Sequence, residues 1–428
     1  MSTVGRGERK PVGSMSAPDK TVWRVTGAPL VAGTPGGPLA GQSVAVKDLF
    51  AVAGQRVGGG VAAFLAEQAV ETGHAAVVAE LLAAGADVAG IATTDEFAYS
   101  ITGGNGRSGM PVNPLVPGRV PGGSSSGPAV AVARGEVSIG LGTDTAGSIR
   151  VPGAYQGLWG IRTTHGSIDT AGLLPLAPSF DTIGWLTHDS ATLAAVADVV
   201  FGRNASDPVD SGSRAYGHRS AATQSASSPQ PLVIDQALYR EAEPVTANEC
   251  LSAASSLGAS RISLDAPLDD WFIAFRTVQA NEAWRRHGAW ISAHPDALAP
   301  EVAQRFQWAS TVDDESATRA RELVGEAAIR IRDVIADRVL LLPTTAGPPP
   351  YRDADAATTE AVRTATLRLT CLASIAGLPA VTVPLPLRDG PPVGLCLIGA
   401  PNTDRDLIHL AARCGAALVE PACEGTPS

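Results

Sequence analysis

SVAVKDLF, residues 43–50, ends an apolar run on a lysine. Val44, Ala45 and Val46 are all apolar, so the segment reads as a short strand buried on both faces, with Lys47 at its end. HAAVVAELLAA (74–84) follows with helical spacing and stops at Gly85, and DVAGIATT (87–94) reads as a second strand. Strand, helix and strand in that order predict a parallel or mostly parallel sheet. Farther along, Pro128 with Ser125 or Ser126 before it gives an N-cap and first-turn signal, for a helix through Ala129–Arg134 that stops at Gly135. EVSIGLGTD (136–144) is the next strand and turn. In the second half, 277–337 carry charges at helical spacing and LLLPTTAGPPP (340–350) reads as a strand entering a rigid loop. Two more strands fall within 374–401, before a last helix at 404–418. The expectation is one large α/β domain, its mixed, mostly parallel sheet of many strands covered by helices on both faces.

Composition narrows the class. The chain has 428 residues, 45% of them hydrophobic, which is enough for a large core. Its net charge is −10 and no basic run is visible, so no nucleic-acid partner is expected. No apolar run is long enough for a membrane span, and the N-terminus has no signal-peptide core. Cys250, Cys371, Cys396, Cys414 and Cys423 form no CxxC pair and read as ordinary thiols of a reducing cytoplasm, neither a disulfide framework nor a metal site. Residues 1–20 read as a disordered tail, 21–420 as the domain, 203–231 as a low-complexity loop within it, and 421–428 as a C-terminal tail. A cytoplasmic protein is expected, and a homodimer stays open.

Of 32 basic residues only Lys10, Lys20 and Lys47 are lysines, and the first two lie in the polar N-terminal tail. Arginine stays charged in proteins, whereas a buried lysine can lose its proton. A lone lysine in an arginine-using chain therefore suggests that an amine is needed. Two Gly/Ser blocks stand beside it: PGGSSSG (121–127), and GLGTDTAGSIR (140–150), where a strand runs into a loop closing on Ser148. In open α/β sheets the reactive crevice lies at the carboxyl ends of the strands, where Lys47 and the 142–148 loop both belong. A serine hydroxyl needs a base before it can attack. A desolvated lysine supplies one, and consecutive loop amides such as those of TAGS can receive a developing oxyanion. Asp48 does not interfere, because successive strand residues face opposite sides.

VAVKD, PGGSSSG and GTDTAGSIR, in this order, resemble the signature of the amidase signature family of Ser–Ser–Lys amide hydrolases. AYSITG, NPLVPGRVPGGSSSG, LLPLAPSFDTIGW, LLLPTTAGPPP and GLPAVTVPLP are similar to its short plant-type branch, which includes indole-3-acetamide hydrolases. The resemblance covers nearly all of 40–420. It implies Ser148 as the nucleophile, Ser124 as a bridging serine held on a cis peptide, and Lys47 as the base. It also implies an oxyanion hole of Thr145, Ala146, Gly147 and Ser148 amides, with Asp144, Arg150 and Ser125 or Ser126 holding the loop. Ala146 stands where the family most often has glycine, which fits only with a negative φ. The implied reaction converts a small, primary amide, of which an arylacetamide is one candidate, to carboxylate and ammonia without metal or organic cofactor. Alternatives are an amidotransferase subunit, a biosynthetic acyl-transfer enzyme, and a docking protein with a degenerate site.

Tyr99, Ser100, Ile101 and Thr102 follow a strand end and are candidates for the acyl pocket. Gly123–Gly127 also fits the G-x-S-x-G elbow of α/β-hydrolases, but a loop precedes it where that motif requires a strand. A phosphate cradle fails because no GxxxxGK[ST] is present. His165, Arg162 and Asp181 read as structural, and Trp284, Trp290 and Trp308 as core aromatics.

Overall fold

A computed structural model describes residues 17–202, 230–385 and 390–419. Eleven strands among them build one sheet. They are β1 (Trp23–Val31), β2 (Ser43–Lys47), β3 (Asp87–Ala92), β4 (Ile139–Asp144), β5 (Trp159–Arg162), β6 (Thr182–Thr187), β7 (Leu232–Asp235), β8 (Ser260–Ile262), β9 (Val339–Pro343), β10 (Ala380–Pro384) and β11 (Gly394–Ile398). Their spatial order is β1-β3-β2-β4-β6-β5-β10-β11-β9-β7-β8. The β2–helix–β3 unit read from the sequence is present and parallel. β2 also runs parallel to β4, and β7 to β8 and β9. The other neighbours are antiparallel, so the sheet is mixed but less parallel than the strand–helix rhythm predicts. One reason lies in the middle of the sheet, where β10 pairs antiparallel with β11, the next strand in sequence, across a stretch of chain too short for a crossover helix.

Helices cover both faces. Ala76–Ala83, Ser190–Phe201 and Asp404–Val419 pack on one, where Leu81 and Leu407 of the helices share a core with Val44, Val46 and Trp185 of the strands. Leu268–Ala293, Asp314–Ile335 and Ala356–Ala376 stack beyond the other, around Phe275, Ile331, Leu340 and Leu372. Along β2, Val44 and Val46 enter the first core while Ala45 faces the helix Ser126–Ala133. Strand alternation puts Lys47 on the Ala45 side. Because β2 and β4 are parallel neighbours, Lys47 and Asp144, their last residues, emerge at the same edge.

Two local expectations change. Order begins before residue 20: Asp19 accepts hydrogen bonds from Thr21 and pairs with Arg134 at 2.9 Å. The helix Ser126–Ala133 starts slightly earlier than read, and no serine side chain caps it. Most of the tail at 1–20, the loop at 203–231 and the tail at 421–428 lie outside the described residues.

Candidate active site

Lys47 is fully buried at the carboxyl edge of β2. Its Nζ meets three hydroxyls: Ser124 Oγ at 2.8 Å, Ser125 Oγ at 3.0 Å and Thr143 Oγ1 at 2.8 Å. No carboxylate lies within ion-pair distance of it among the described residues. Burial pulls its pKa down to about 7, against the more distant negative charges of Asp95, Asp144 and Asp181. Asp48 points away, to Arg24 at 2.9 Å and to the amides of Gly58 and Gly60. Burial raises Asp48 to about 6.

The serines of GGSSSG divide by what their hydroxyls face. Ser126 Oγ donates to Asp95 at 3.2 Å. Ser125 Oγ donates to the Thr143 carbonyl at 3.3 Å, so toward Lys47 it serves as an acceptor. Ser124 Oγ has no acceptor other than the amine among the described residues, and the Gly123–Ser124 peptide is cis. A neutral amine donates two protons and offers one lone pair, so within three hydroxyls one of them must donate to it. Ser124 and Thr143 are free to do so; Ser125 is not. This is why the serine signal read as helix capping is not realised: the hydroxyls turn into the site.

Ser148 closes the loop after β4, and its carbonyl accepts from the Ser125 amide at 3.2 Å. Asp144 holds this loop together. Its carboxylate takes Arg150 Nε and Nη2 at 3.0 and 2.9 Å, Arg162 Nη1 at 3.4 Å, and the amides of Gly147, Ile149 and Arg150. Arg162 Nη1 also bonds the Asp144 carbonyl. Burial would raise the Asp144 carboxyl, but the two guanidiniums and the amides outweigh it and hold the group well below the usual carboxylate range. The Gly147 amide is therefore committed to Asp144 at 2.8 Å, which removes it from the expected oxyanion set. The Thr145, Ala146 and Ser148 amides have no protein acceptor among the described residues. Ala146 is not among the residues with positive φ, so its methyl is accommodated; the loop takes its positive φ at Gly147, at 119°.

A narrow cleft of about 10 Å³, room for about one water, opens on Ser148. Tyr99, Ser100 and Ile101 line it as expected, whereas Thr102 does not. The Thr102 amide turns back to Ser100 Oγ, and its carbonyl takes the Gly122 amide. The rest of the wall is Ala98, Thr145, Ala146, Gln279, Arg363 and Leu367. Arg363 and Leu367 come from a helix the sequence reading did not connect to the site; Thr370, on the same face, bonds the Ala146 carbonyl at 2.6 Å. Also unforeseen were Thr143 at the amine, although it stands in the quoted GLGTD, and Asp95 behind the triplet. Asp181, read as structural, binds the Thr145 hydroxyl at 2.6 Å. His165 bonds the Pro178 carbonyl, and Trp284, Trp290 and Trp308 do not line the cleft.

The comparisons with known proteins agree with this architecture. The family model described as Amidase matches residues 26–265. "Amidase 1" of Arabidopsis thaliana is 34% identical over 394 residues, covering 87% of this chain and 92% of that protein. "Translocon at the outer membrane of chloroplasts 64" of Pisum sativum is 31% identical, over 91% of this chain and 68% of that one. A solved structure titled "Crystal structure of amidase" superposes with a TM-score of 0.76 at 26% identity, covering 89% of this chain and 86% of its own.

Proposed function

This chain belongs to the amidase family, which makes it a hydrolase of carbon–nitrogen bonds, and we propose that it converts a small primary amide to carboxylate and ammonia through an acyl-Ser148 intermediate. The observation that carries the reading is Lys47: an amine wholly buried among three hydroxyls, with no carboxylate at ion-pair distance among the described residues, and poised to lose its proton near neutrality.

In this scheme Ser148 Oγ attacks the amide carbon and hands its proton to Ser124 Oγ, whose own proton passes to neutral Lys47. The oxyanion that forms accepts hydrogen bonds from the Ala146 and Ser148 amides, with Thr145 beside them. As the C–N bond breaks, the lysine ammonium returns its proton through Ser124 to the leaving nitrogen, and ammonia departs. Water then attacks the acyl-serine by the same relay in reverse, giving the carboxylate and free Ser148. Asp144, Arg150 and Arg162 keep the loop in place and take no proton.

The acyl group is the finer question. An arylacetamide such as indole-3-acetamide is supported by the likeness to the plant branch and by Tyr99, an aromatic ring in the cleft wall. Ammonia release from acetamide, propionamide, benzamide, indole-3-acetamide, glutamine and a peptide amide, wild type against Ser148→Ala, tests the reading. Release that falls by several orders of magnitude in the variant is expected. Release that survives it would remove Ser148 from the mechanism; silence across the panel from folded protein would favour a docking or acyl-transfer role.

A further inference from the structure

Three helices each send one arginine toward Tyr99. Arg363, on Ala356–Ala376, lines the cleft itself. Arg305, on Pro300–Ala309, donates from Nη1 to the Tyr99 carbonyl at 3.0 Å. Arg276, on Leu268–Ala293, lies over Trp308 at 4.9 Å and Phe272 at 5.5 Å. All three guanidiniums act on the Tyr99 hydroxyl, which burial otherwise makes a weaker acid. Burial and the charge of Arg363 together draw Arg305 down to about 10 and lower Arg276 as well.

Opposing negative charge is scarce. Among the described residues neither Arg276 nor Arg305 has a carboxylate within ion-pair distance, and Arg363 has Glu360 alone, at 2.9 Å with its side chain half exposed. The same Glu360 acts on Arg305 and Arg276 at longer range, and Asp95 and Glu301 on Arg305, so one carboxylate faces all three guanidiniums. Arg363 Nε is buried without a partner among the described residues. The side-chain amide of Gln279, also in the cleft wall, has no protein hydrogen bond among the described residues. A cluster of cations that depress one another costs stability, in a chain whose net charge is −10. Such an arrangement suits a site completed by an anion, and a guanidinium with a free edge matches a carboxylate in particular.

We propose that the substrate carries a carboxylate on its acyl chain, received by Arg363 with Arg276 and Arg305 behind it and Gln279 beside it. This rests on the primary-amide reading: ammonia is then the leaving group, so the charge has to sit on the acyl side. The substrate class is the half-amide of a short dicarboxylic acid, and the product is a dicarboxylate.

The test compares matched pairs on the wild-type enzyme: succinamate against butyramide, and glutaramate against valeramide, followed by ammonia release. The anionic member is expected to have the higher kcat/KM by about 10- to 100-fold, the range a charge-assisted hydrogen bond supplies. Its advantage should shrink as ionic strength rises. Arg363→Gln should collapse the ratio within each pair, and Arg363→Lys should restore part of it. Should Arg363 variants fail to fold, inhibition of the wild type by succinate rather than butyrate reads the same site. Equal or better turnover of the neutral partners would overturn the carboxylate assignment and leave the amidase reading intact. Absence of ammonia from every amide, neutral or charged, would instead overturn the amidase reading. Cleavage of N-acetylglycine in preference to the half-amides would move the anion to the leaving-group side and defeat the proposal.

Discussion

Two fully buried ionisable groups stand at the same edge of the sheet, and burial acts on them with opposite results. Lys47, at the end of β2, is surrounded by hydroxyls and is drawn down to about 7. Asp144, at the end of the neighbouring β4, suffers the same desolvation but receives Arg150, Arg162 and three backbone amides, and stays ionised. Desolvation penalises either charge; the partners decide whether the charge survives. Neutral hydroxyls leave the lysine free to exchange a proton. Fixed cations leave the aspartate none to exchange. One region is fit for turnover and the other for holding a loop still, and they differ by which residues fold in around them.

The largest expected effect comes from removing the amine. Lys47→Met should lower kcat/KM by about 10³-fold, within the range for a lost general acid–base group. Its effect on stability should run the other way. Because the folded pKa lies below the ordinary 10.5, the lysine's penalty is fully present below about pH 7 and fades as pH rises toward 10.5. The melting temperature of the variant relative to wild type should therefore be highest near pH 6 and fall with rising pH. A difference independent of pH would mean that Lys47 is charged in the folded protein and that the contrast with Asp144 is false.

Asp144→Asn attacks the other region. It leaves two buried guanidiniums facing a neutral amide, so about 3–5 kcal/mol of stability should be lost, measured by denaturant unfolding. Activity should fall with it, since the carboxylate also takes the Gly147 amide beside Ser148. The sign with pH is opposite to that of lysine: the contribution of Asp144 is full above the ordinary value of 3.8 and is lost only as pH falls below it. A variant as stable as wild type would show that packing alone, without the ion cluster, keeps the loop in place.

The same contrast predicts the pH profile of the intact enzyme. If neutral Lys47 is the base, kcat/KM should rise tenfold per pH unit below about 7 and level off above it. Asp144 contributes no limb in that range. A profile flat from pH 6 to 9 would exclude Lys47 as the titrating base.

How much of this was legible in the sequence follows from what each feature depends on. The β2–helix–β3 unit is local, and periodicity revealed it. Lys47, the serine triplet and the Ser148 loop could be brought together because each lies at a strand end or helix start that the sequence marks. The antiparallel middle of the sheet was not legible, since the pairing of β5 with β10 joins segments separated by more than two hundred residues. Nor were Arg363, Leu367 and Thr370. They reach the cleft from one face of the helix Ala356–Ala376, a segment the sequence left without an assignment, and nothing local says which strand edge that helix will cover. The capping signal at Ser125 failed for a related reason: its hydroxyl is turned to tertiary partners, the Lys47 amine and the Thr143 carbonyl, and not to the buried first turn of its own helix.

Ser125→Ala gives the smallest effect and the sharpest one. Ser125 Oγ donates to the Thr143 carbonyl, so it meets Lys47 as an acceptor. An acceptor favours the ammonium over the free amine. Removing it should move the acid limb of the profile to lower pH, by less than about one unit, because the charged and neutral amine differ by little more than 1 kcal/mol in one hydrogen bond. Its absence also loosens the amine, so the plateau should drop by about tenfold. Ser124→Ala must behave differently: it removes the proton's route, so the plateau should fall by about 10³-fold wherever the limb lies. If the two alanine variants had the same plateau and the same limb, the hydroxyls around Lys47 would be interchangeable, and the division of the triplet into a relay and an anchor would not hold.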